Sequence, residues 1–489
     1  MSFSVSELAD ALPPPLPLSS TSPLEPRARA TNTASPTNSI WRDLPEAEFR
    51  QHIVHLEKLT NSVPVDAQTF PLPPHSDSAA AVAQHGDSNP TEATEADAGG
   101  RTSDTQQPHP RQLSLATEQR LADDIACLVA VGEGAQSVAA TTIQESRGPE
   151  GKGLKVTIAS VDAIQPDSQA FLRSVFHTLS AVPTAKTLHS LLDLVTRHHQ
   201  ARLLNRLRSC KWKKPTYLSR THKKPLHADF ANLVHRIQFV YTKKEADTRA
   251  QLEKELLALG QLLEAFETAD DDHGKLVEIV RCSYEACTSP LVANYLERLQ
   301  GFNKPTTQIQ ACLKTLRQLE KVAAYYRICL DLTSLSQSRA KLFDAVELLF
   351  LPPYEAVPLT TVAFQPWAKS THVHAEVILS VHHDLELHQP QPGGRAWHKP
   401  RCLGASKYFC YLCFLFIRHH GAYFAANTHG ACYDQWTVPD LADFTEPVAN
   451  HYREVLRAMD DEIRSQTQGA IWRPEPMTSR ENLIGTTIE

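Results

Sequence analysis

Apolar residues recur at helical spacing through the middle of the chain. Leu121, Ile125 and Leu128 form one such set, Phe171, Val175 and Leu179 a second, and Leu188, Leu191, Leu192 and Val195 a third. Leu252, Leu256, Leu259 and Leu263 line one face of the most regular stretch, and Ile309, Leu313, Leu316 and Leu319 line another. Residues three and four apart share a helix face, so residues 116–340 are predicted to be an irregular, mostly α-helical domain. A β-like segment, Leu154 to Ile158, interrupts the run, and no fixed period marks a solenoid.

The period shortens after Pro352-Pro353. Ala345 to Phe350 and Val357 to Phe364 are compatible with strands, His374 to about His388 with a helix, and Arg401 to Ala405 with a short strand. Cys410 to His420 follows as a second helix, with Gly421 placed to end it in a left-handed cap. Later strands are expected at Tyr423–Phe424 and around Trp436, and a terminal helix presents Leu456 and Met459 on one face. Strands alternating with helices make residues 341–465 an α/β domain, and 466–489 a tail.

The first 115 residues read differently. They are poor in large apolar side chains, and 15 of the 33 prolines fall within the first 110. Such a stretch buries too little apolar area to offset its conformational entropy, so disorder is expected. One island breaks it: Leu44, Phe49, Ile53, Leu56 and Leu59 recur at helical spacing after Trp41. That helix is equally compatible with docking on the folded body and with standing free in solvent.

Composition adds boundaries. A net charge of −6 gives no global attraction to nucleic acid, so any such affinity must be local. Ten Lys or Arg and no Asp or Glu lie between 197 and 224, with Trp212 and Tyr217 among them. Cations interleaved with aromatics suit phosphate neutralisation and base stacking, or nuclear import; a solvated interhelical loop is the plainer reading. Scattered cysteines in no regular framework point to a reduced compartment, cytoplasmic or nuclear. No signal peptide and no membrane span is expected, since the apolar runs are short and the N-terminus is interrupted by Asp10 and prolines. The oligomeric state is not legible.

The candidate chemistry lies in 372–436. His374-Ala375-Glu376 and Cys410-Tyr411-Leu412-Cys413 together have the spacing of a zinc-deaminase site, in which His and two Cys hold Zn²⁺ and the Glu moves protons. In a regular helix His374 and Glu376 would stand about 200° apart, so both reach one site only if His374 precedes the regular turns. The stripe Ile378, Val381 and Leu385 puts that helix start beside the core. Cys410 and Cys413, three apart, share a helix face, and the first helical turn favours their thiolates. Three protein ligands leave a fourth position for water. Two thiolates cancel the metal's charge and blunt its Lewis acidity, so a neighbouring carboxylate that accepts the water proton gains importance.

The segment resembles the cytidine-deaminase-like superfamily, and most closely its branch of predicted nucleic-acid deaminases widespread in fungi and related to bacterial toxin deaminases. The resemblance rests on His374-Ala375-Glu376, on Gly404-x-Ser406-Lys407 leading into Cys410-x-x-Cys413, and on Thr428-His429-Gly430 followed by Trp436 and Pro439. It spans about 340–445. It implies a three-layer α/β/α fold, zinc on His374, Cys410 and Cys413, and Glu376 as general acid/base. The implied reaction is hydrolytic deamination of a nucleobase in nucleic acid, single-stranded nucleic acid among the candidates, or in a nucleotide. Phe409 stands where many members have Pro. His429 and Lys407 are candidate substrate-side residues, and the other histidines of the region read as surface or packing residues.

Two rival readings stand beside the enzyme. In one, Cys402, Cys432 or His429 supplies a fourth ligand, closing a structural zinc in a scaffold. In the other, a degenerate deaminase domain only binds nucleic acid.

Overall fold

The computed structural model describes residues 38–72, 110–132, 137–147, 152–181, 184, 186–216, 224–359, 363–365, 368–388 and 396–474. In chain order the first elements are α1 (Glu46–Thr60), β1 (Gln68–Thr69), α2 (Leu115–Val129), β2 (Ala139–Glu145) and β3 (Leu154–Ser160). A helical body follows: α3 (Pro166–Ser180), α4 (Thr187–His198), α5 (Gln200–Leu207), α6 (His227–Val240), α7 (Ala246–Phe266), α8 (Asp272–Thr288), α9 (Pro290–Gln300), α10 (Thr307–Ser338) and α11 (Ala340–Phe343). The chain then forms β4 (Val346–Phe350), β5 (Val357–Pro358), β6 (Ser370–Val373), α12 (Ala375–His388), β7 (Gly404–Ala405) and α13 (Tyr411–His420). It ends with β8 (Asn427–Thr428), β9 (Trp436–Thr437) and α14 (Glu446–Gln468).

A sheet of order β4-β3-β2-β7 joins the two halves of the chain. β2 and β3 form an antiparallel hairpin, with Thr142 opposite Thr157. β4 lies parallel to β3, with Val156 opposite Leu348, and β7 runs antiparallel to β2. Side chains alternate across a strand, and the two cores divide on that rule. Ile143, Val156 and Ile158 belong with α2 and the helical body, whereas Ala140 and Ala159 belong with α12 and α13. Helices thus cover both faces, giving the α/β/α layering. β2 carries no large alternating apolar side chains in Ala139-Ala140-Thr141-Thr142, which hid it among the predicted helices.

The division expected at 340 runs through this sheet. β2 and β3 precede that point, while β4 and β7 follow it, so the helices α3 to α11 are enclosed between neighbouring strands of one sheet. At the seam, the buried Arg327 guanidinium of α10 donates to Asp124 of α2 (2.7 Å) and to Asp331 (2.6 Å). Arg120 of α2 joins them, 2.9 Å from Asp331.

The amino-terminal island is docked. Phe49, Ile53 and Leu56 of α1 are buried in the core shared with α12 to α14, and Leu44 is partly buried there, whereas Leu59 is 39% exposed. The Ile40 N–H donates to Asp440 Oδ1 (3.1 Å), and β1 pairs antiparallel with β8. The disorder expected through residue 115 is therefore corrected for 38–72 and for the stretch from 110, which leads into α2; 1–37 and 73–109 lie outside the described residues. The same holds for 475–489, most of the expected tail.

In the basic stretch, carboxylates of the same or neighbouring helices meet four of the cations. Arg197 pairs with Asp193, Arg208 and Lys224 with Asp229, and Lys211 with Asp272. Tyr217, Arg220 and Lys223 lie outside the described residues. No helix among the described residues is long and apolar enough to cross a membrane.

Candidate metal centre

β6 lies parallel to β9, pairing His372 with Trp436 and Val373 with Thr437, and delivers the chain to α12. His374 stands just before the helix: its carbonyl accepts the Ile378 N–H (3.0 Å), while its side chain is free of the regular turns. Glu376 is in the first turn, buried to 4% exposure. The half-turn conflict between the two side chains is resolved in this way. Ile378, Val381 and Leu385 anchor the helix in the core.

Cys410 is the N-cap of α13, its sulfur accepting the Cys413 N–H (3.3 Å). Its neighbour Phe409 is held on both sides. Asn427 Oδ1 accepts the Phe409 N–H (3.2 Å), and the Phe409 carbonyl accepts from Thr428 Oγ1 (3.0 Å) and the His429 N–H (3.0 Å). The Tyr411 N–H donates to the Ala431 carbonyl (2.7 Å). Residues 427–431 thus fix the start of α13. Asn427 went unnoticed in the sequence because its partner is backbone, which no spacing pattern records. α13 is buried on nearly every side and ends at Gly421, in the left-handed region at φ 71°.

The three ligand atoms converge. His374 Nδ1 lies 3.6 Å from Cys410 Sγ and 3.4 Å from Cys413 Sγ. Around a tetrahedral Zn²⁺ with ordinary bond lengths, a nitrogen and a sulfur ligand stand about 3.6 Å apart. His374, Cys410 and Cys413 therefore fit zinc without rearrangement. Cys402, Cys432 and His429 are outside the cluster, which among the described residues is made of those three alone. Glu376 Oε2 is 3.4 Å from Cys413 Sγ, next to the ligands but not one of them.

The protonation states are unusual for a core. Burial raises the Glu376 carboxyl above its usual range, with the Cys410 sulfur adding to this and His374 opposing. The Cys410 thiol is held well below its ordinary value: burial opposes, but hydrogen bonds from Cys413 and the His374 imidazole outweigh it. Burial and the Cys410 charge push Cys413 well above. Without a cation the second thiol keeps its proton and donates it to Glu376. A divalent cation is what lets both sulfurs ionise in so buried a place.

His429 is buried, and its pKa falls to about 4, through burial first and then Lys407 and His374. It is a neutral imidazole at pH 7. Its Nδ1 accepts the Ala431 N–H (3.1 Å), which leaves the ring proton on Nε2. Lys407 is half-buried and close enough to act on that ring. The amino-terminal arm packs over this loop. The Cys432 N–H donates to the Ser62 carbonyl (2.8 Å), and Phe70 stacks on Phe414 with centroids 5.2 Å apart. At Gly430, φ is 77° and a Cβ would collide with the Val65 carbonyl oxygen, so glycine is required twice over.

A His before one helix, a Glu in its first turn and a Cys-x-x-Cys at the start of a second, both helices on one face of a mixed sheet, define a deaminase-like domain. Residues 373–440 match the OTT_1508-like deaminase family, which places this segment in the cytidine-deaminase-like and toxin-deaminase group. No curated protein and no solved structure matches the chain.

Proposed function

We propose that the chain is a zinc-dependent hydrolytic deaminase acting on a nucleobase carried by nucleic acid or nucleotide. The observation that carries this reading is the convergence of three zinc-type donors beside a buried carboxyl that is not among them. Zinc held by His374, Cys410 and Cys413 would supply Lewis acidity to a water molecule. Glu376, with its carboxyl raised by burial, would hold and release a proton at Oε, as acid/base catalysis on the ring and the departing amine requires. His429 offers its Nε2–H as a donor to a base edge, and Lys407 supplies positive charge beside it. Burial of Glu376, Cys410, Cys413 and His429 limits bulk water and strengthens these interactions.

The fourth position separates this reading from the structural-zinc scaffold, since none of Cys402, Cys432 and His429 joins the ligand cluster. A single-stranded nucleic acid is the substrate class the resemblance suggests. Four cations of 197–224 are paired with Asp193, Asp229 and Asp272, and the site lies elsewhere, so we assign recognition to the loops around the site rather than to the basic stretch.

The test is zinc content together with ammonia release from single-stranded cytosine and adenine substrates. Glu376→Gln is expected to keep its zinc and lose turnover by at least about 100-fold, as for removal of a general acid/base. Cys410→Ser is expected to lose both. Zinc-replete wild type inert on every base-bearing substrate would overturn the enzyme reading.

A further inference from the structure

We propose that His382, His383 and Glu386, in the C-terminal half of α12, form a second divalent-cation site, independent of the His374 cluster and of the deaminase reading. His382 Nε2 lies 3.4 Å from Glu386 Oε1, and His383 Nδ1 lies 3.3 Å from Glu386 Oε2. One ligand atom from each residue falls within 4.8 Å of the other two. Nitrogen and oxygen ligands about 2.0–2.2 Å from a tetrahedral ion stand about 3.4 Å apart, so the two His–Glu separations, one to each carboxylate oxygen, are of the length such an ion needs.

Burial makes the arrangement costly without a cation. His382 is 6% exposed, and neither of its ring nitrogens makes a hydrogen bond, its approach to Glu386 being a charge contact with poor alignment. Leaving both nitrogens of a buried imidazole unsatisfied is destabilising. His383 is 5% exposed, and its far nitrogen, Nε2, is 2.8 Å from Thr142 Oγ1 on β2. That contact is the outer-shell bond that orients a ligating histidine and fixes its tautomer. Glu386 stays ionised well below the usual range. Burial works against this, but His382, His383 and Lys155 prevail.

Lys155 of β3 is the competing group. Its ammonium lies 2.7 Å from Glu386 Oε1 and occupies the charge position that a cation would take. Metal and ammonium therefore exchange on one carboxylate, and the metal must displace that pairing. Two imidazoles with one carboxylate select a borderline first-row ion such as Zn²⁺, Co²⁺ or Ni²⁺ over Mg²⁺ or Ca²⁺. From His374 to His382 is eight residues, about 12 Å along the helix, so the two sites hold separate ions. Bound there, the ion ties the far end of α12 to β2 through the His383–Thr142 contact, and so steadies the helix that begins at His374 and Glu376.

The experiment strips the full chain with chelator, titrates it with Zn²⁺ or Co²⁺, and counts metal per chain. Wild type is expected to bind two ions. Cys410→Ser/Cys413→Ser is expected to keep one, and with Co²⁺ to show ligand-field bands without the thiolate charge-transfer band. His382→Ala is expected to keep the thiolate band and lose the other ion. Thr142→Val should weaken the second site by about 10-fold. Lys155→Met should tighten it, since its competitor is gone, whereas a purely structural His-Glu-Lys network predicts no metal response to that change. One ion per wild-type chain, carried entirely by the thiolates, overturns the proposal. So does a natively folded Lys155→Met with unchanged or weaker second-site affinity.

Discussion

Glu57 of α1 is 2% exposed, its Oε1 accepting from Ser62 Oγ at 3.3 Å, and its pKa rises from 4.5 to about 9. Burial is the larger cause and the nearby Asp434 the second. The native protein therefore holds a proton that the unfolded chain releases. That contribution is complete below about pH 4.5 and declines steadily as the pH rises toward 9. Glu57→Gln should match wild type in melting temperature near pH 5 and exceed it near pH 9. Equal melting temperatures across that range would show that Glu57 ionises without cost. The residues of the candidate metal centre are the ones the sequence displays best. His374, Glu376, Cys410 and Cys413 are set by short spacings, and the opposed directions of His374 and Glu376 already require a helix start between them. His382 and His383 instead read as ordinary packing residues, because Thr142, which meets His383, and Lys155, which meets Glu386, come from strands more than 220 positions away.

Among the elements, α1 shows how a weak sequence signal becomes a strong structural one. Its apolar stripe is short and lies in a proline-rich region, so the pattern alone does not decide between docking and solvent. Phe49 settles the matter by packing between Trp41 (5.8 Å) and Trp436 (6.2 Å). Phe49→Ala should cost about 3–5 kcal/mol of stability in denaturant unfolding. Leu59→Ala, at an exposed position, should stay within about 0.5 kcal/mol. Equal effects would mean that α1 is not part of the cooperative unit. Gly404 gives a physical reason for one position of the family pattern. A Cβ there would collide with the backbone of α2 at Ala122 and Asp123, so the strand can approach the helix only as glycine. β2 stayed hidden because its small and hydroxylated residues carry neither helical nor strand periodicity strongly.

At the scale of the molecule, the helical body is a long excursion between two strands that lie side by side. Sequence periodicity reports α3, α4, α7 and α10 but says nothing of which strands pair across the excursion, so the boundary at 340 fell inside a sheet. The Arg327 cluster ties the excursion to the deaminase layer. Arg327→Met leaves Asp124 and Asp331 buried without their cation and should destabilise the chain by about 3–5 kcal/mol. Thermal unfolding should remain a single transition if the two parts are one cooperative unit. Two separated transitions in wild type would show that they are not.

The docking of α1 also sets a schedule for synthesis. Ser39 and Ile40 find Asp440 across about 400 residues of chain. At about 5–20 residues per second, a ribosome takes roughly 20–80 s to supply that partner. Through that interval Phe49, Ile53 and Leu56 have no native surface to cover them. A nascent chain of this protein therefore carries an uncovered apolar stripe for that time, and one arrested before 440 leaves its first helix without a home.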